Sequence, residues 1–241
     1  MKTNTFFKDS ALSALRGNWG KAILAVLVYF FIALAIAGPA GYTSVMMQDA
    51  MDVSSISSLS DAVELTQDPE FLAAQKVNNG VSGLTFLLEI FLLIPLGVAF
   101  LNVFRKLLVN GDNNTLGNLF NFSNYWRKIG GMLLVGIFTF LWSLLFIIPG
   151  IIKAFSYSMT PYILDENPEL GASEAIHRSR MMMKTHKFDL FWLYLSFIGW
   201  GLLCILTCGI GFLWLAPYFQ TAKAAFYEEV KADYELNGGL D

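Results

Sequence analysis

Two charged residues sit inside apolar runs of the sequence, and their types point most directly to chemistry. Glu89 lies within VSGLTFLLEIFLLIPLGVAFLNVF, residues 81–104, and Lys153 lies within IIPGIIKAFSYSMTPYIL, residues 147–164. An isolated charge is costly in hydrocarbon, so intramembrane charges are usually paired or functional. The sequence therefore gives the hypothesis that Glu89 and Lys153 form an ion pair. Two alternatives stay open: Lys153 extends its ammonium group to an interface, and Glu89 is protonated and hydrogen-bonded.

The other residues that commonly carry chemistry do not form a catalytic pattern. His177 and His186 flank a basic segment, while Cys204 and Cys208 lie four apart in an apolar run without further metal ligands close in sequence. The sequence contains no Ser/His/Asp arrangement and no glycine-rich phosphate loop. We therefore predict that the protein is not an enzyme and that it has no cofactor and no metal site. The cysteines are predicted to be small apolar residues of a helix.

The composition is that of a membrane protein, with 55% hydrophobic and only 15% charged residues, against about 25% charged in soluble domains. A membrane-spanning helix needs roughly 20 apolar residues. Six segments meet or approach this length: 22–38, 81–104, 129–148, 151–164, 188–206 and 209–226. The fourth is short, and a re-entrant segment is its alternative. We therefore predict an all-α membrane protein, a single domain over residues 1–241 that forms a bundle of six transmembrane helices.

The distribution of Lys and Arg orients this bundle. With the N-terminus inside, fourteen of the 16 basic residues fall on the inner side, in the tails and in the loops around residues 105–128 and 178–187. Inner loops of membrane proteins carry such an excess of Lys and Arg. The sequence thus predicts that both termini lie inside, whereas the long acidic loop at 39–80 and the short turns at Pro149–Gly150 and Cys208–Gly209 lie outside.

Short amphipathic helices are predicted on the inner side. Near the N-terminus, Phe7, Ala11, Leu15 and Trp19 share one helical face, with Trp19 as an interfacial anchor. In SEAIHRSRMMMK, a stripe of apolar residues is surrounded by basic ones. The stripe is Ala175, Ile176, Ser179, Met182 and Met183, and the basic residues are Arg178, Arg180 and Lys184. This basic surface suits an anionic leaflet, or alternatively a cytoplasmic protein partner. Membrane lipids are predicted partners, and a net charge of -3 gives no reason to expect nucleic acid.

Several stretches carry a family resemblance. ALRGNWGKAI, IPGIIKAFSYSMTPYIL, NPELGASEAIHRSRMMMKTHK and FIGWGLLCILTCGIGFLWLAPYFQTAKAAFYEE resemble the bacterial integral-membrane family known as domain of unknown function 975. The resemblance implies a multi-pass protein of the bacterial cytoplasmic (inner) membrane and carries no activity over to any residue. We expect a non-enzymatic accessory or scaffold protein of the envelope. The alternative is a small-molecule, ion or lipid transporter that uses Glu89 and Lys153 within the membrane.

Overall fold

The structure is a computed structural model that describes residues 2–50, 66–112 and 114–237. These ranges are helical and contain no strand. The helices are α1 (Asn4–Leu15), α2 (Trp19–Ala50), α3 (Pro69–Leu88), a π-helix (Glu89–Leu93), α4 (Ile94–Asn110), α5 (Thr115–Leu119), α6 (Tyr125–Leu145), α7 (Ile147–Tyr157), α8 (Thr160–Glu166), α9 (Ala172–Met182), α10 (Lys187–Leu206) and α11 (Phe212–Leu236). The all-α prediction is therefore confirmed.

Four helical segments of the described ranges are long and apolar enough to cross a membrane. They are Trp19–Met47, Pro69–Asn110, Tyr125–Leu145 and Lys187–Leu206. They correspond to the first, second, third and fifth of the predicted spans. The predicted segment 151–164 is divided between α7 and α8, and α11 takes up residues 212–226 of the sixth.

The chain divides into two compact units. The smaller unit, Phe30–Leu93, contains most of α2, α3 and the π-helix. The helix α3 begins at Pro69 because the Asp68 side chain accepts hydrogen bonds from the amides of Glu70 and Phe71, at 2.6 and 3.2 Å. Of the acidic segment predicted at 39–80, residues 51–65 lie outside the described ranges. Its flanks are helical rather than irregular, since α2 continues to Ala50.

The larger unit contains Met1–Tyr29 and Ile94–Asp241, and its core forms where α1 packs on α11. Phe7, Ala11 and Leu15 are buried, and the Phe7 ring lies 5.5 Å from the Phe226 ring. The predicted apolar face of the N-terminal helix is thus confirmed for these three residues, whereas Trp19 begins α2. Its burial corrects the interfacial interpretation, however, because this face packs against protein.

A helical hairpin, α6 followed by α7 and α8, forms part of the larger unit. The chain turns at Phe146, which has an extended backbone, rather than at Pro149–Gly150 as predicted. Gly150 permits close packing, because a Cβ atom on it would lie 2.8 Å from the Ser143 Cα atom. At the other end of the hairpin Lys128 contacts Asp165, with 2.6 Å between Nζ and Oδ1. Helices α7 and α8 together therefore return along the whole length of α6.

The return path is bent between α7 and α8. Pro161 follows the bend in the first turn of α8, where the missing proline N–H leaves no bond of that helix unmade. Asn102 of α4 donates a hydrogen bond to the Pro161 carbonyl at 3.2 Å. The bend places α8 in the core, where residues 160–164 are all buried.

A second hairpin is made by α10 and α11. Its turn uses left-handed backbone conformations at Cys208 (φ 51°) and Gly209 (φ 85°). A Cβ atom on Gly211 would lie 3.1 Å from the Cys204 Cα atom, so a glycine also permits the close packing of the two helices in this hairpin. At its open end His186 contacts Asp233, with 3.0 Å between Nε2 and Oδ2.

Candidate functional site

Glu89 and Lys153 fall in different units of the structure. Glu89 is exposed and is the first residue of the π-helix in the smaller unit. Lys153 is partly buried in α7 of the larger unit. Each has a distinct local environment, and their proposed ion pair stays a prediction.

Lys153 lies in a cavity of about 290 Å³ between α6, α7 and α9. Its ammonium group sits over the ring of Trp142, 4.5 Å from the centroid. His177 and Arg180 of α9 line the same cavity. The structure therefore places Lys153, from the predicted intramembrane pair, and Arg180, from the predicted basic docking surface, in the same cavity.

The three residues of that basic surface have different environments. Arg178 faces α11, where its guanidinium lies 3.7 Å from Glu235 and over the Tyr234 ring at 5.8 Å. Arg180 is exposed and lines the Lys153 cavity. Lys184 is also exposed and lines a second, mostly apolar cavity of about 420 Å³ on α7. The apolar stripe predicted on this helix is confirmed, because all five of its residues are buried.

Two cavities bring together residues that the sequence assigns to opposite sides of the membrane. The sequence places Lys153 near the outer end of a span and α9 inside, but the first cavity contains residues of both. A third cavity, of about 430 Å³, is lined by Trp19, predicted at the inner interface, and by Thr207 and Gly211, which flank a predicted outer turn. The inner and outer assignments of these residues stay predictions.

A network of ion pairs surrounds the C-terminal end of α8, and sequence reasoning missed it. Arg105 of α4 contacts Glu166 at 2.8 Å and Glu228 of α11 at 2.7 Å. Its guanidinium also lies over the ring of Tyr227, at 5.6 Å. Arg105 thereby ties three helices together while its side chain stays largely shielded from solvent.

Glu166 is the centre of this network. Its carboxylate accepts a hydrogen bond from the Tyr227 hydroxyl at 2.6 Å and another from Lys231. Burial raises the pKa of Glu166. The hydrogen bonds from Lys231 and Tyr227 and the charge of Arg105 lower it by a larger amount, so the pKa lies below its ordinary value. Burial and the same hydrogen bond raise the pKa of Tyr227. Glu166 is thus held ionised and Tyr227 neutral.

The neighbouring Asp165 extends the network to α6. It contacts Lys128, which is fully buried, at 2.6 Å, and Lys106 at 3.7 Å. Together, four cations and three carboxylates join α4, α6, α8 and α11. Such a set balances all but one of its positive charges and fixes helix positions, since a buried charge without a partner is strongly destabilising.

The sequence contained a signal for this network, namely charges flanking or interrupting apolar helices. Arg105, Lys106 and Lys128 were interpreted only as inner-loop charges that orient the chain. Asp165 and Glu166 follow an apolar stretch directly, and Glu228 and Lys231 share one face of a helix three residues apart. Their pairing required the bend before Pro161, which the sequence does not specify.

These features define the class of protein: an all-helical protein with four helices able to cross a membrane and a charge-paired helical core. Residues 144–234 match the model of the family described as protein of unknown function (DUF975). The match covers α7 to α11 and most of the ion network. Searches of curated proteins and of solved structures gave no match.

Proposed function

We propose that the chain is a multi-pass protein of the bacterial cytoplasmic membrane that serves as a non-enzymatic accessory or scaffold protein of the envelope. The four apolar helices support the membrane setting. So do large apolar side chains that remain widely exposed, among them Leu144 (74%), Ile147 (76%) and Leu206 (79%). Contiguous exposed apolar surface indicates contact with lipid or protein.

The observation that carries the scaffold role is the division of charge between two regions. Four cations of α4, α6 and α11 are paired with carboxylates inside the protein, namely Arg105, Lys106, Lys128 and Lys231. Arg180 and Lys184 instead are exposed and line cavities. A core held by paired charges that also carries an exposed cationic surface is suited to holding an anionic partner.

We further propose that both termini lie inside. The ion pair between Lys2 and Glu229, 2.9 Å apart, supports placing the N-terminal tail beside the C-terminal helix. The contacts Lys128–Asp165 and His186–Asp233 close the open ends of the two hairpins. A hairpin whose ends meet returns the chain to the side from which it came, whether or not its tip crosses the bilayer. The six-span count requires complete crossing by both hairpins and stays a prediction.

Purification from the native membrane in mild detergent tests the scaffold role. We expect a recurrent protein at fixed stoichiometry, lost in Arg180→Glu/Lys184→Glu. The charge-matched control is Lys2→Glu/Arg178→Glu, because these two cations face Glu229 and Glu235 of α11. A protein that purifies alone, with a defined small molecule bound, would contradict the scaffold role and favour transport.

Transport is the second candidate, and the π-helix that begins at Glu89 favours it. Single π-helical turns inside α-helices often occur at functional sites. If Glu89 and Lys153 act as a pair, the variants Glu89→Gln and Lys153→Gln should be non-additive in thermal stability by about 0.5 kcal/mol or more. Additive effects of the two substitutions would remove the pair from the transport model.

A further inference from the structure

The cavity between α6, α7 and α9 has the chemistry of an anion site. Lys153 and Arg180 bring positive charge to it, and Ser173 and Tyr157 add hydroxyl groups. The residues that line it, as far as the structure describes them, include no carboxylate. Lysine, arginine and hydroxyl groups are the usual donors to phosphate oxygens.

The charges of this cavity differ from those of the ion network in having no acidic partner. Within the described ranges, no carboxylate lies within 4.0 Å of the charged groups of Lys153 or Arg180. Lys153 instead rests on the Trp142 ring. Both cations are therefore available to an anion from outside the protein.

An exposed apolar tip lies beside the cavity. Residues 144–148, at the turn of the α6–α7 hairpin, are between 64% and 76% exposed. Lys153 follows Ile147 by six residues, which is about 9 Å along a helix. Interfacial helices bury their apolar faces roughly 5–10 Å into a membrane. A tip inserted to that depth would place Lys153 and Arg180 at the level of lipid phosphates.

We propose that this cavity binds the phosphate group of an anionic membrane lipid while the hairpin tip inserts among the acyl chains. The phosphate contacts Lys153 and Arg180, and the apolar walls formed by Phe138 and Trp142 lead towards the tip. This assignment rests on the proposed membrane setting. It deepens the proposed function by naming the ligand of part of the cationic surface.

The test measures binding to the purified full chain in a neutral detergent. Dioctanoyl phosphatidylglycerol, dioctanoyl phosphatidylcholine and inorganic phosphate are each titrated, and the thermal unfolding midpoint is recorded against concentration. We expect saturable stabilisation by phosphatidylglycerol. The variant Lys153→Gln/Arg180→Gln should weaken its apparent affinity about tenfold or more, as loss of charge-assisted contacts predicts.

Two further variants keep the test specific. Lys2→Gln/Arg178→Gln removes the same net charge from residues that face Glu229 and Glu235, so it should leave the affinity unchanged. Lys153→Arg/Arg180→Lys keeps the charge and should retain binding. Equal weakening in the charge-matched control would overturn the site, as would the absence of saturable binding. Inorganic phosphate binding as tightly as the lipid would overturn the lipid assignment and leave a soluble phosphate ligand.

Fractionation separates this inference from the proposed function. If the protein stays in the membrane fraction after washing with alkaline carbonate but does not bind phosphatidylglycerol, only the lipid site fails. If washing releases it from the membrane, the proposed function fails as well.

Discussion

The buried ammonium group of Lys128 lies 2.6 Å from the Asp165 carboxylate, and this contact joins the start of α6 to the end of α8. Lys128 is 0% exposed and Asp165 belongs to a helix that is almost wholly buried. The pair therefore closes the α6–α8 hairpin at the end opposite to its apolar tip.

Removing one partner of this pair should be strongly destabilising. Lys128→Met leaves the Asp165 carboxylate without its closest cation, and a broken buried pair costs about 3–5 kcal/mol. The thermal unfolding midpoint in detergent should fall clearly. Lys2→Met is the control, because Lys2 is half-exposed in its pair with Glu229 and such pairs contribute about 1 kcal/mol at most. Equal effects of the two substitutions would contradict a structural role for Lys128.

The stability contributed by Glu166 should depend on pH. Its pKa is lower in the folded protein than in the unfolded chain, so its contribution is present above the unfolded pKa and is lost as the pH falls through the folded pKa. Glu166→Gln should therefore lower the unfolding midpoint at pH 7, and the difference from wild type should shrink as the pH falls below the ordinary pKa of a glutamate. Glu229→Gln serves as a comparison in the same series. A difference that stays constant across this range would show that Glu166 does not titrate as described.

Glycine 150 should not tolerate a side chain. A methyl group there would meet the Ser143 backbone, and overpacking of this kind costs about 1–3 kcal/mol. Gly150→Ala should lower the unfolding midpoint. Gly136→Ala, in α6 of the same hairpin, has no atom within 4 Å of the new Cβ and should be neutral or slightly stabilising. Tolerance of both substitutions would mean that the hairpin is not closely packed at Ser143.

Labelling of the Cys208 thiol tests how far the α10–α11 hairpin extends across the membrane. Cys208 is exposed at its turn, whereas Cys204 is buried. Thr207, its neighbour, lines a cavity with Trp19, so we expect a membrane-impermeant maleimide to leave Cys208 unlabelled in intact cells and to label it after lysis. Cys208→Ser controls for the identity of the labelled residue. Labelling of Cys208 in intact cells would instead support the predicted outer turn and the six-span topology.

The sequence predicted the helical class and the faces that become buried, but not the depth of each helix. The apolar stripe from Ala175 to Met183 and the face of Phe7, Ala11 and Leu15 were identified because a helix has a fixed period. The excess of Lys and Arg inside constrains only which side of the membrane a segment ends on. A hairpin that enters and returns satisfies the same charge pattern as two complete spans, so the charge pattern does not distinguish the two arrangements.

The candidate site was predicted only in part for a similar reason. Lys153 and Arg180 were each selected for their charge, but they are 27 positions apart in the sequence. Their meeting depends on the turn at Phe146 and on the packing of α9, neither of which has a local sequence signal. The ion network around Glu166 depends on contacts across more than 60 positions, which spacing along one helix does not reveal.

Arg127 has a practical consequence for tagging and insertion. From the start of α6 it donates hydrogen bonds to the carbonyls of Leu164, Asn167 and Leu170. These bonds give hydrogen-bond donors to the backbone carbonyls at the end of α8 and in the connector between α8 and α9. Exposed connectors usually accept inserted sequence. Here an insertion would move the carbonyl groups of this connector apart, and the Arg127 guanidinium could no longer donate to all of them at once. An epitope tag placed within residues 167–171 should therefore reduce yield, whereas a tag at Gly111–Asp112, between α4 and α5, avoids this cap.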